Sequence, residues 1–144
     1  MNIVIDASVL IKFYVPEVLS DKASHLLDAV KDGDLSFLAP DLIFPEAGNI
    51  LWKKHRLKEL TGSEVNEITD AIVSLPIWVE SSKVLLPLAT GIAMTYGVTV
   101  YDAVYLALAR IRETQMITAD RKLFKKMIET EMEEYVSWLG IFQK

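Results

Sequence analysis

Five short apolar runs alternate along this chain with stretches of helical length. The first, Asn2 to Asp6, reads NIVID and is β-branched until a carboxylate ends it. It has the pattern of a strand buried on both faces of a parallel sheet. Leu35 to Ala39, Ile77 to Val79, Gln115 to Thr118 and Tyr135 to Trp138 are the other four candidate strands. Short apolar strands separated by helices predict an α/β fold, a three-layer sandwich with a mainly parallel five-stranded sheet flanked by helices. The 144 residues, 51% of them hydrophobic, suit one domain over 1–144 with one core. No repeat, linker or low-complexity segment interrupts the alternation.

Helix signals fill the gaps. Ser8 is a candidate N-cap for a short helix from Val9 to Tyr14, stopped by Pro16. Ser20 to Lys31 carries Ala23, Leu26, Leu27 and Val30 at helical spacing and closes at Gly33. Asp41 is expected to cap a helix through Arg56, with Pro45 in its first turns. Ser63 is expected to start another, with Glu67 in a loose capping arrangement. Ser81 or Ser82 opens a helix that ends near Tyr96 at Gly97. Thr99 precedes a helix from Tyr101 to Glu113, and its segment Tyr101 to Ala109 is apolar almost all round, which predicts a central position. A basic helix is expected from Arg121 to Glu131.

Composition narrows the chemistry. Fifteen Lys and Arg against 20 Asp and Glu give a formal charge of −5, which excludes nucleic-acid binding by bulk positive field. Absence of Cys excludes disulfides, thiolate metal sites and a cysteine nucleophile, and two His exclude a multi-histidine zinc site. Val84 to Met94, the longest apolar stretch, is cut by Pro87 and Gly91 and is too short to span a bilayer. With no basic segment before the first apolar run, the expectation is a soluble cytoplasmic protein without a membrane partner.

Four acids stand out. Asp6 ends the first strand and Asp120 lies two residues past the fourth, so both belong on the sheet edge where such folds place their working groups. Glu46 (Ile43-Phe44-Pro45-Glu46-Ala47) and Asp102 (Val100-Tyr101-Asp102-Ala103-Val104) sit in otherwise apolar helical starts. An ionised acid there costs several kcal/mol unless a cation or donors compensate it. A helix N-terminus supplies only roughly 0.3–1 kcal/mol. Each acid also has a plainer role as a cap or a solvated helix residue, but all four interrupting apolar segments together favours grouping. Grouped carboxylates repel one another unless hard cations neutralise them, and oxygen-only ligation suits Mg²⁺ or Mn²⁺. Such ions serve phosphoryl or phosphodiester hydrolysis.

Asp6-Ala7-Ser8, Glu46 with Asn49, Tyr101-Asp102-Ala103-Val104-Tyr105-Leu106-Ala107-Leu108-Ala109, and Thr118-Ala119-Asp120-Arg121-Lys122-Leu123 resemble, in order, the motifs of PIN-domain ribonucleases, especially VapC-type toxins. The resemblance implies an endoribonuclease using one or two Mg²⁺ or Mn²⁺ ions and leaving a 5′ phosphate and a 3′ hydroxyl. Asp6, Asp102 and Asp120 would hold metal, directly or through water, while Glu46 would hold a bound water or second ion and orient the nucleophile. Ser8, Thr118 and Asn49 match supporting positions whose work is hydrogen bonding to ligands or water. An antitoxin that lays a basic segment over the cleft is the implied partner, and a homodimer is implied too, with Leu19, Leu26, Leu42, Ile50 and Leu51 as candidate apolar surface.

Lys12 and Arg121, each close in sequence to an acid, are the candidate RNA contacts. Lys53 to Arg56, Lys122, Lys125 and Lys126 read as solvated faces that can also guide a backbone. His25 and His55 read as surface residues, and Trp52, Trp78 and Trp138 as core or interface packing. Two other functions stay open: a noncatalytic PIN-like interaction module, and a carboxylate-cluster phosphatase, which Asp6-Ala7-Ser8 fits poorly because it lacks a second Asp.

Overall fold

The computed structural model describes residues 1–143. Along the chain run β1 (Asn2–Ile5), α1 (Ala7–Lys12), α2 (Ser20–Lys31), β2 (Ser36–Pro40), α3 (Ile43–Arg56), α4 (Gly62–Ser74), β3 (Ile77–Glu80), α5 (Ser82–Tyr96), α6 (Val100–Ile111), β4 (Met116–Thr118), α7 (Arg121–Met127), a 3₁₀ turn (Glu133–Tyr135) and β5 (Val136–Trp138). All four strand pairings are parallel, in the order β3-β2-β1-β4-β5. The expected α/β sandwich is the fold observed.

The β-branched run reads as predicted because β1 is the central strand. Val4 pairs with Leu38 on one side and Met116 on the other, and Ile3, Val4 and Ile5 are buried on both faces. From β1 the chain steps outward through β2 to β3, then crosses back to β4 and β5. Right-handed crossovers therefore place α1 to α4 on one face and α5 to α7 on the other. Packing of α1 on α2 and α3, of α3 on α4, and of α5 along α6 agrees with that division. The apolar helix α6 is central as expected: Ala103 to Ala109 are buried without a break. Three alanines in that run let α6 approach the sheet closely beneath α5.

Several caps differ from the sequence reading. Asp6, not Ser8, caps α1, because its carboxylate reaches the Val9 N–H. Asp41 does not cap α3, which starts from Leu42 without a side-chain cap; its carboxylate instead accepts from the Ser82 N–H at 3.3 Å. The start of α4 is set by Thr61 and Glu64 in a reciprocal capping box, two residues ahead of Ser63, because only that spacing satisfies two orphan N–H groups at once. The helix α7 stops at Met127, four residues short of Glu131, where the backbone extends at Ile128.

Apolar surface is also redistributed. Leu26 and Leu51 belong to the core, and Leu19, Leu42 and Ile50 are half-buried against it, so the five residues expected to offer a dimer face are mostly spent within the monomer. Trp78 is 71% exposed on the edge strand β3 and Trp52 is 51% exposed, so of the core or interface packing expected of them the core role does not hold. His25 and His55 are exposed as expected. No single helix among the described residues is long and apolar enough to cross a membrane.

The central position of α6 sets a test. Leu106→Ala, at a fully buried site, should cost about 2–5 kcal/mol in urea unfolding. Met94→Ala, at a residue 81% exposed, should change stability by less than about 0.5 kcal/mol.

Candidate functional site

The strand order reverses between β1 and β4, which opens a crevice beyond their C-terminal ends. Asp6 follows β1 directly, and Asp120 lies two residues past β4. Three donors reach the Asp6 carboxylate: Ser8 Oγ at 2.5 Å and the Val9 N–H at 3.1 Å on Oδ1, and Thr118 Oγ1 at 2.5 Å on Oδ2. The same two hydroxyls accept in turn, Thr118 Oγ1 from the Asp120 N–H and Ser8 Oγ from the Ala119 N–H. The strand ends are thus stitched to each other through Asp6. Asp120 caps α7 by accepting from the Leu123 N–H at 3.1 Å.

The other two acids arrive from the helical layers. Gly97, with φ of 68°, ends α5 in the left-handed conformation that glycine adopts without penalty. The chain then turns by 115° into α6. Thr99 caps α6 through the Asp102 N–H at 3.1 Å, which places Asp102 in the first turn. Glu46 occupies the first turn of α3, on the opposite face of the sheet, and accepts from the Tyr105 hydroxyl at 2.5 Å. Asp102 and Tyr105 are three apart on α6 and so share a face, and that face meets Glu46 across the end of β1.

The electrostatics follow from this crowding. Burial pushes Asp6 up from 3.8 to about 6, against the lowering by its three donors, and the Asp102 charge adds to the rise. Glu46 is raised by burial and by Asp102, and Asp102 by burial and by Asp120. Asp102 therefore feels, or is felt by, each of the other three. Tyr105 is driven up by burial and by Glu46, so it stays protonated and donates. Among the described residues no Lys or Arg pairs with any of the four acids; the ion pairs formed are Lys12–Glu17, Lys54–Glu17, Lys54–Glu59 and Arg112–Glu80.

A cleft of about 190 Å³ is lined by Thr99, Asp102, Asp120, Lys122 and Lys126, among others. Larger hollows, of about 410, 570, 370 and 490 Å³, share none of its residues. Of the candidate RNA contacts, Lys12 is engaged by Glu17 at 3.0 Å with its side chain 11% exposed, so it is not a free phosphate ligand. Arg121 turns from the cleft to lie over Trp138. The Lys53–Arg56 run is partly committed as well, Lys54 to Glu17 and Glu59 and Arg56 to the face of Trp52 at 4.8 Å. Asn49 is exposed one turn beyond Glu46 and hydrogen-bonds none of the acids. Sequence reasoning passed over Tyr105 as a site residue; its spacing of three from Asp102 was the available signal.

Among the described residues no three acidic or His side chains stand close enough to enclose an ion unaided. The donor set nevertheless fits a hard divalent cation: it offers only oxygen, Asp6 and Glu46 are oriented by hydroxyl donors, and among the described residues none of the four acids forms an ion pair. Mg²⁺ is ordinarily bound through one or two carboxylates and several waters, which needs no closed cage.

Residues 3–129 match the PIN domain. The chain is 34% identical to Ribonuclease VapC3 of Pyrobaculum aerophilum over 128 residues, 88% of this chain and 95% of that protein. It therefore belongs to the PIN-domain family. Among solved structures, PAE2754 from Pyrobaculum aerophilum superposes with a TM-score of 0.66 at 24% identity, covering 97% of this chain and 85% of that one. A toxin–antitoxin complex from Klebsiella pneumoniae gives 0.64 at 15% identity, with 93% and 94% covered. At these identities the two structures report the shared fold.

Because the folded protein binds the Asp6 proton more tightly than the unfolded chain, this residue destabilises the fold as pH rises from about 4 to about 6, and fully above that. The cost at neutral pH is about 3 kcal/mol. In chelator, Asp6→Asn should raise the melting temperature at pH 7 by several degrees. The gain should vanish near pH 4, which differential scanning calorimetry across that range checks.

Proposed function

We propose that this protein is an endoribonuclease that hydrolyses RNA phosphodiester bonds with Mg²⁺ or Mn²⁺, and that it is the toxin of a toxin–antitoxin pair. The observation that carries this reading is the convergence of Asp6, Glu46, Asp102 and Asp120 at the β1/β4 crevice with no ion pair to any of them among the described residues, in a chain 34% identical to a ribonuclease. Asp6, Asp102 and Asp120 would hold the ion directly or through bound water, and the ion would supply a Lewis acid for the phosphate oxygens and lower the pKa of water.

The chain's own residues do the rest. Ser8, Val9 and Thr118 fix the Asp6 carboxylate in one orientation, so it is preorganised rather than gathered by the ligand. Tyr105 holds Oε1 of Glu46 and leaves Oε2 to accept a proton from the attacking water, a task that its raised pKa favours. As the water oxygen bonds to phosphorus, the bond to the 3′ oxygen breaks. That oxygen takes up a proton, leaving a 3′ hydroxyl and a 5′ phosphate. Lys122, in the cleft wall, meets the backbone. An antitoxin with a basic segment would cover the same acids. Self-association as a homodimer is part of the reading and is read by light scattering.

Asp102→Asn should lose metal-dependent cleavage of RNA to the assay background while keeping its circular dichroism. Equal cleavage by both proteins would overturn the assignment, and absence of cleavage by the wild type would favour the noncatalytic module. Tyr105→Phe should slow cleavage roughly 10–100-fold. It should also move the acid limb of the pH–rate profile upward, since the lost donor had been lowering Glu46.

A further inference from the structure

The C-terminal end of β5 carries an arrangement that the acidic site does not use. Trp138 stands in register with Thr118, one strand from the hydroxyl that holds Asp6, and the Leu139 N–H donates to the Thr118 carbonyl at 2.8 Å. The backbone at Trp138 is thereby fixed beside the end of β4. The Arg121 guanidinium lies over its ring, 5.0 Å from the centroid, within cation–π range. Gly140 completes the arrangement: a Cβ at that position would fall inside the van der Waals radii of the indole carbons, so only glycine lets the chain turn back so closely on the ring.

Arg121 follows Asp120 at the start of α7 yet is not part of the cleft wall formed by Asp102, Asp120 and Lys122. It is exposed. Among the described residues no carboxylate pairs with it and no acceptor takes its N–H groups. The ring contact holds the guanidinium beside the indole and leaves its N–H donors unspent. A planar fork with free donors grips a phosphate through two parallel hydrogen bonds, and a side chain ordered in advance loses less entropy on binding.

We propose that Arg121, oriented by Trp138, is a phosphate-binding point beside the acidic cleft that takes the backbone of the RNA strand on the β5 side. The inference rests on the ribonuclease reading for the identity of its ligand. Trp138 is a positioning residue, acting through Arg121, and Gly140 makes room for it.

The test is anisotropy of a fluorescein-labelled single-stranded oligoribonucleotide, titrated at several KCl concentrations against full-length protein in the Asp102→Asn background in Mg²⁺ buffer. Arg121→Ala should weaken binding about tenfold and reduce the slope of log affinity against log salt by about 0.7, the share of one phosphate contact on a single strand. Trp138→Leu should weaken binding similarly, Trp138→Phe should restore most of it, and Trp138→Leu should add nothing on top of Arg121→Ala. Equal losses from Trp138→Leu in both backgrounds would reduce Trp138 to a structural role and overturn the proposal. So would an Arg121→Ala variant with unchanged affinity and slope, which decides the matter even if Trp138→Leu fails to fold. The two readings separate cleanly: coupled binding by a chain whose Asp102 form cleaves no RNA removes the ribonuclease assignment and keeps this site, while cleavage with no coupling does the reverse.

Discussion

The hydrogen bond from Thr118 to Asp6 joins the two central strands of the sheet at the point where their directions of travel diverge. The geometry of the acidic site is referred to it. β1 and β4 are fixed along their length by the parallel ladder, but the ladder ends at Ile5 and Ile117. Beyond it, only side chains hold the two strand ends together. Thr118 and Ser8 each donate to Asp6 and accept from the segment leading to Asp120, so the geometry of the first and fourth acids is a single unit. Removing one hydroxyl would leave a buried acceptor short and also free the backbone that aims Asp120.

The cost of this arrangement falls on Asp6. A carboxylate with three donors would ordinarily be pulled down in pKa, and here burial overrides them. The imbalance is informative, because a carboxylate present only as an N-cap is normally left partly in water, where capping and solvation agree. Asp6 does cap α1, so the modest reading of it as a cap was correct as far as it went. Capping alone accounts for neither the second oxygen, taken by Thr118, nor the neighbouring Asp102 charge. The residue is placed at some expense in stability, as is common for groups retained for chemistry rather than for folding.

The sheet was legible in the sequence because a strand buried on both faces admits little besides β-branched and apolar residues, and NIVID, SFLA and MIT satisfy that locally. Central α6 was legible for the same reason. Helix starts were less so: Thr61, Ser63, Glu64 and Glu67 all have capping chemistry, and the choice among them is made by which pair closes two hydrogen bonds at once. Exposure of Trp78 was invisible, since nothing local says that β3 is an edge strand. The acids at strand ends could be placed on one edge from topology alone. Glu46 meeting Tyr105 could not, because the contact spans 59 positions and depends on how two helical layers close over β1.

Net charge gains a different meaning once the acids are located. Setting Asp6, Glu46, Asp102 and Asp120 aside takes the acidic count from 20 to 16, against 15 basic residues. The rest of the molecule is therefore close to neutral, and the excess is concentrated at one crevice. A nearly neutral surface cannot gather a polyanion by long-range field, so the proposed binding of RNA would have to come from cations at short range. Several of the obvious ones are already spent: Lys12 and Lys54 on Glu17, Arg112 on Glu80, and Lys126 on the Gly97 carbonyl at 2.5 Å. Those left near the site are Lys122 in the cleft wall and Arg121 on its indole. On the proposed ribonuclease reading, an acidic crevice flanked by so few free cations attracts a phosphate once its own charge is offset, and a divalent ion held there would serve substrate binding as well as the chemistry.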